Sequence, residues 1–206
     1  VWSKFRPEND HTNGEGAQGW GDQAALSRPA GGEVAGRARP RIRSRGGYHA
    51  PVRHVVDPQT GQIDYDQAIA PDAEDLAETG VKDAYDEDIA PHLLDLGVVP
   101  AQVHELSDEA QASYVVECAG VRYEISGPDI PDVHTWGRAT FALFDIVNRQ
   151  LDHLDVKLYA LNGGNDLFGV FMTPDEAEVA RRALNKKSDW PYIVTPDPES
   201  NGMYFD

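Results

Sequence analysis

The chain has 206 residues, 40% of them hydrophobic, and a net charge of −17, which suits one domain plus an appendage. No run of about 18 apolar residues occurs, which excludes a transmembrane helix. Cys118 is the single cysteine, so no internal disulfide can form.

The charge is unevenly distributed. Residues 1–56 hold nine Lys/Arg and five Asp/Glu, net +4, whereas residues 57–206 hold nine against thirty, net −21. The acidic part is expected to repel nucleic acid and anionic membrane and to attract a basic partner protein. Acidic chains with only five lysines are also made by high-salt or high-GC organisms, so ancestry is an alternative account. A lone cysteine fits a reducing compartment, and Val1-Trp2-Ser3-Lys4 resembles no signal peptide. A cytoplasmic location is the expectation.

Residues 1–48 read as a flexible, basic, Gly/Arg-rich arm, because their sparse large apolar residues cannot offset the entropy of ordering. Within it, Arg37, Arg39, Arg41, Arg43 and Arg45 alternate, which puts five guanidiniums on one side of an extended strand. Three readings stand: an unstructured basic linker, a grip on phosphates or an acidic protein face, or a strap across the chain's own acidic body. Residues 49–206 form the expected acidic α+β domain, best defined over 113–195.

Val52–Val56 and Ile63–Tyr65 read as a strand or hairpin around the Asp57-Pro58-Gln59-Thr60-Gly61 turn. Pro71–Glu78 reads as a short helix ending at Gly80. A second helix runs from about Asp83 to Leu96 and stops at Gly97, with Pro91 marking a break or a new first turn. Tyr114–Cys118 and Val121–Ile125 flank Ala119-Gly120 as a two-residue hairpin. Thr135–Leu154 carries apolar residues at helical spacing. Val156–Leu161 and Leu167–Met172 form a second hairpin around Asn162-Gly163-Gly164-Asn165-Asp166. Thr173-Pro174-Asp175-Glu176 is a capping box opening a helix to about Asn185, and Tyr192–Val194 is a short strand. The expected architecture is an antiparallel sheet of hairpin–helix (ββα) units with helices on one face, preceded by the extended arm.

No catalytic residue, metal or cofactor is indicated. The seven histidines lack zinc spacing, and Asp64-Tyr65-Asp66 and Asp83 to Asp88 lack the alternating ligands of a calcium loop. Cys118 sits in a predicted strand, and no G-x-S-x-G occurs. The 162–166 loop lacks the strand–loop–helix context of a phosphate loop, and hairpin geometry accounts for it. Trp190-Pro191-Tyr192 and Tyr204-Phe205 read either as interface anchors or as cover for an open end of the sheet.

Thr135–Phe144 and Leu158–Thr173, with the Gly163-Gly164-Asn165-Asp166 run, give a segment that resembles small bacterial immunity proteins of polymorphic toxin systems over residues 113–195. The resemblance implies a protein that binds and blocks a cognate toxin, often a basic nuclease, through an acidic face. On this reading the chain is a non-catalytic binding protein of unknown oligomeric state, with Asp86, Glu87, Asp88, Trp136, Asn162, Asn165, Asp166, Trp190 and Tyr192 as partner contacts. The alternative is a structural or assembly subunit whose arm, through its five arginines, threads over neighbouring chains. An enzyme acting through its carboxylates is the third reading.

Overall fold

The computed structural model describes residues 54–197. The chain divides into two units, Val1–Tyr48 and His49–Asp206, and the described residues all belong to the second. The arm with its five arginines, Val52 and Arg53 of the first expected strand, and Tyr204-Phe205 lie outside the described residues.

The class is α+β, built of helices and antiparallel strands. Ala119 and Gly120 both take positive φ, 50° and 81°. Such a turn matches the right-handed twist of the strands it joins, and it closes β2 (Ser113–Cys118) onto β3 (Val121–Ser126). Before them runs a strand that the sequence pattern does not reveal, β1 (Val103–Asp108), paired with β2 in unbroken register from Val103↔Cys118 to Asp108↔Ser113. The three strands form one sheet in the order β1-β2-β3. Its buried face carries Val103, Tyr114, Val116, Tyr123 and Ile125, and helices pack on that face as expected.

At the centre lies α4 (Thr135–Gln150), which buries Ala139, Leu143, Phe144, Ile146 and Val147 on several sides at once. A helix buried nearly all round belongs in the core rather than on its surface. It packs against β3 and against β4 (Lys157–Leu161), which pairs with β5 (Phe168–Met172) in a separate two-stranded ribbon. The ribbon goes beyond the one-face plan. Leu158 and Ala160 join the main core beside α4, while Tyr159, Leu161, Val170 and Met172 form a second core with Ala177 and Ala180 of α5 (Pro174–Ala183). Thr173 caps α5 as read from the sequence: its hydroxyl accepts from the Glu176 N–H, and the Glu176 carboxylate accepts from the Thr173 N–H.

Two local expectations are corrected. Gly80 does not end a helix in the left-handed conformation. Thr79 takes that role, with φ 76°, and helix resumes immediately at Val81. Glycine is needed at 80 because a Cβ there would stand 2.5 Å from the Asp75 carbonyl oxygen. Tyr192–Val194 forms no full strand among the described residues; a single bridge joins Tyr192 to Ala160. The Asp57–Gly61 turn is present, closed by the Gly61 N–H on the Asp57 carbonyl at 2.7 Å and bridging Val56 to Ile63.

Candidate functional site

The most concentrated charge on the body lies along one helical run, and its construction begins with its apolar residues. Ala73, Leu76, Val81, Tyr85, Ile89 and Leu93 are buried, a spacing closer to four than to 3.6. In a plain α-helix such a stripe winds progressively off one face. A kink in Leu76–Gly80, where Glu78 and Thr79 leave helical dihedrals, separates α1 (Ala73–Asp75) from α2 (Val81–Ala84), and one wider i→i+5 turn, Tyr85–Ile89, joins α2 to α3 (Ala90–Asp95); together they take up the excess residues. The stripe therefore keeps facing α4 and the sheet, and the intervening acids keep facing solvent.

Those acids are Glu74, Asp75, Glu78, Asp83, Asp86, Glu87, Asp88 and Asp95, all exposed. Asp72 begins the run, its carboxylate accepting from the Glu74 N–H at 2.8 Å. Lys82 is the one Lys or Arg in residues 72–95; it donates to Asp86 at 2.6 Å, which raises its ammonium pKa. Glu87 and Asp88 have no ion pair or side-chain hydrogen bond with the described residues. The sequence expectation of Asp86, Glu87 and Asp88 as an exposed trio thus corresponds to one turn between buried Tyr85 and buried Ile89.

Two polar anchors hold the run in place. At its interior start, the Lys82 N–H donates to the Glu105 carboxylate of β1 at 2.8 Å, and the Val81 N–H reaches the Tyr114 hydroxyl at 3.4 Å. Tyr114 in turn donates to Glu105 at 2.5 Å. The carboxylate thus accepts one first-turn N–H and the hydroxyl the other, groups that have no partner within the helix. Burial, then the bond to Glu105, pushes the Tyr114 hydroxyl well above the ordinary phenol range. Further along, Tyr85 donates to Gln150 Oε1 at 3.0 Å, and the Ala101 N–H joins the same oxygen at 2.7 Å. The acidic turn therefore follows directly on bonded, buried Tyr85 and leads into buried Ile89.

The other expected contact residues divide into two kinds. Asn165 and Asp166 are exposed on a single 3-10 turn, Gly164–Asp166; its Gly164 and the preceding Gly163 are buried. Asn162, Trp136, Trp190 and Tyr192 are half-buried. Trp136 packs on the main core, and the Trp190 indole donates to the Leu184 carbonyl at 3.1 Å. The Tyr192 hydroxyl donates to the Asn162 carbonyl at 2.9 Å, which brings these two residues together. Arg181 donates twice to the Pro191 carbonyl, at 2.9 and 2.7 Å, and fixes this C-terminal segment against α5. The Trp136, Trp190 and Tyr192 side chains and the Asn162 carbonyl thus contribute to holding the body together.

A cleft of about 450 Å3 opens at the β2–β3 turn, lined by Gln102, His104, Glu117, Cys118 and Arg122 among others. Glu117 is paired with Arg122 at 2.8 Å. Cys118 is buried, and burial raises its thiol pKa, which disfavours the nucleophilic thiolate. Among the described residues no group of three or more His, Cys, Asp or Glu is arranged to hold a metal ion, and no helix is long and apolar enough to cross a membrane. No protein-family model, curated protein or solved structure matches the chain.

Proposed function

We propose that this chain is a non-catalytic binding protein that engages a basic protein partner through the acidic turn Asp86-Glu87-Asp88, in the manner of an immunity protein that blocks a cognate basic toxin. One observation carries the reading: three consecutive exposed carboxylates stand on a helical run anchored from beneath, with Lys82 as the single Lys or Arg in residues 72–95. Asp86 is paired with Lys82, whereas Glu87 and Asp88 have no ion pair with the described residues, so these two attract a complementary surface without first breaking an internal pair. Glu78, Asp83 and Asp95 extend the same potential along the run. Asn165 and Asp166 add a second exposed contact.

The test is affinity purification from the native host with two baits, the natural chain and the triple variant Asp86→Asn, Glu87→Gln, Asp88→Asn. The expected result is a basic protein retained by the natural chain at low salt, depleted at moderate salt, and lost with the triple variant. A partner held equally by both baits, or insensitive to salt, overturns the reading.

A further inference from the structure

Four sheet edges are present among the described residues, and on three of them the rest of the chain engages at least one outward backbone group. On β5, Gly169 exchanges both hydrogen bonds with Ile69, at 2.9 Å each. On β4, Ala160 exchanges two with Tyr192, at 2.8 and 2.9 Å. The Asn148 side chain brackets Leu158 on that strand, accepting from its N–H at 2.7 Å and donating to its carbonyl at 3.0 Å. On β3, Arg138 donates to the Glu124 carbonyl at 2.8 Å. The fourth edge is β1; among the described residues its one backbone bond outside the β1–β2 ladder is in the turn at its end, where the Gln111 N–H donates to the Asp108 carbonyl at 3.2 Å.

The register tells which groups β1 leaves open. The two-residue turn at Ala119-Gly120 makes Cys118 and Val121 a hydrogen-bonded pair. Alternation along β2 then turns Val116 and Cys118 toward β3, and Val115 and Glu117 toward β1. On β1 the backbones of His104 and Leu106 are consumed, and those of Val103, Glu105 and Ser107 point outward. Natural edge strands are blunted by Lys, Pro, a bulge or an inward-pointing charge. Residues 103–108, Val-His-Glu-Leu-Ser-Asp, contain no Lys or Pro, their register with β2 is regular, and the inward charge, Glu105, is taken up by the Tyr114 hydroxyl and the Lys82 N–H.

We propose that this edge pairs with β1 of a second copy of the chain, antiparallel about a two-fold axis through Leu106. The side chains of His104, Leu106 and Asp108 stand exposed on the outer face, and Leu106 is 48% exposed. A two-fold at Leu106 sets Leu106 against Leu106, and His104 of each copy opposite Asp108 of the other. The outer face is thus self-complementary: one apolar contact flanked by two imidazole–carboxylate pairs, in each of which a ring N–H can donate to the Asp108 carboxylate, which within its own chain accepts from the Ala110 N–H at 2.9 Å. In the same register Glu105 and Ser107 of the two copies exchange main-chain hydrogen bonds, four in all by the antiparallel pattern. No other two-fold on the strand combines that bonding with a matched outer face. An axis at His104 keeps four main-chain bonds, between Val103 and Glu105, but sets His104 against His104, and an axis at Glu105 sets His104 against Leu106 and Asp108 against Gln102, outside the strand.

Net charge opposes the pairing, since residues 57–206 carry thirty acids against nine bases. Screening relieves that repulsion, so this association strengthens with added salt. The experiment is sedimentation velocity on the full chain over a concentration series at about 0.05 and 0.5 M NaCl. The expected result is a concentration-dependent dimer whose fraction rises with salt. His104→Asp, which opposes two carboxylates twice, weakens it roughly tenfold, while His104→Lys leaves it intact or tightens it. Ser107→Pro removes an outward N–H that β2 does not use, and Leu106→Lys sets like charges face to face on the axis. Each yields a monomer with an unchanged circular dichroism spectrum, and the second stands in should the first not fold. A monomer under every condition overturns the proposal. So does a dimer that dissolves as salt rises, which is the signature of the basic arm on an acidic body, or a dimer that survives Leu106→Lys.

Discussion

Tyr114→Phe isolates the anchor beneath the acidic run. It deletes one oxygen from a buried ring and leaves the packing volume nearly unchanged. The hydroxyl donates to the Glu105 carboxylate at 2.5 Å and accepts from the Val81 N–H at 3.4 Å. A bond to a charged acceptor contributes ~1.5–3 kcal/mol, whereas the 3.4 Å contact lies at the weak end of hydrogen-bond geometry. Glu105 keeps its bond from the Lys82 N–H, so its carboxylate is not left unpaired, and the phenylalanine ring relieves the hydroxyl's desolvation. The expected net loss is about 1–2 kcal/mol, or a fall in Tm of ~2–4 °C for each kcal/mol in a body of this size. Urea unfolding followed by far-UV circular dichroism measures it, with the m-value unchanged. The decisive measurement is the double-mutant cycle with Glu105→Gln, in which the two losses are sub-additive. A loss under ~0.5 kcal/mol, or an identical loss in both backgrounds, refutes the claim that the pair acts as a unit. Amide exchange from Val81 through Ile89 is expected to accelerate in Tyr114→Phe, because the anchor holds that stretch.

Thr79→Gly is expected to stabilise the protein by ~1 kcal/mol, measured by urea midpoint. A β-branched residue at φ 76° carries strain that glycine does not, and an unchanged or lower midpoint removes that account. Gly61→Ala is expected to cost about 2–4 kcal/mol. Its φ is 72°, and the added Cβ would overlap Ala183 Cβ and stand 3.0 Å from the Val179 carbonyl oxygen; a thermal melt reads the loss. Alkaline stability follows from the tyrosines. Burial is the leading cause that raises Tyr85, Tyr114, Tyr123 and Tyr159 above the unfolded value of ~10. The folded state holds these protons more tightly, so their contribution is complete below the unfolded value and falls as pH rises through the folded ones. The urea midpoint is expected to drop between about pH 10 and 12, with a shallower slope in Tyr123→Phe; a flat profile contradicts it.

How much of this was legible depended on whether local chemistry and burial pointed the same way. The Ala119-Gly120 turn, the Thr173 capping box and the apolar spacing of α4 each combine a local signal with a buried partner, and each was read correctly. β1 was missed because only Val103 of its six residues is buried. An edge strand reaching past the core has no apolar alternation to show, and His-Glu-Leu-Ser-Asp reads as loop. At Thr79-Gly80 the sequence misled in a specific way. Glycine is the usual left-handed stop, but here close approach of the Asp75 carbonyl requires it and threonine bears the positive φ. The trio Asp86, Glu87 and Asp88 was legible as acid, yet the buried residues on either side, Tyr85 and Ile89, and the wide turn that aligns them emerge only from packing. Trp190 and Tyr192 have the composition of interface anchors, but the Leu184 and Asn162 carbonyls that engage them lie six and thirty residues away in sequence.

The acidity of the body bears on both proposals, and it acts on them with opposite sign. Attraction between the Asp86-Glu87-Asp88 turn and a cationic partner is screened by salt and weakens. Repulsion between two bodies meeting at β1 is screened by the same salt, so that pairing strengthens. The two surfaces are close relatives in the fold, because Glu105 sends its carboxylate to the helical run while its backbone lies on the open edge. A basic partner that neutralises the helical acids lowers the charge each body brings to a β1–β1 contact, and so favours that contact. By linkage the paired form must then bind the basic partner more tightly by the same factor. Measuring self-association with and without a saturating basic ligand therefore tests both surfaces together, and opposite salt dependences tell which one a given variant has lost.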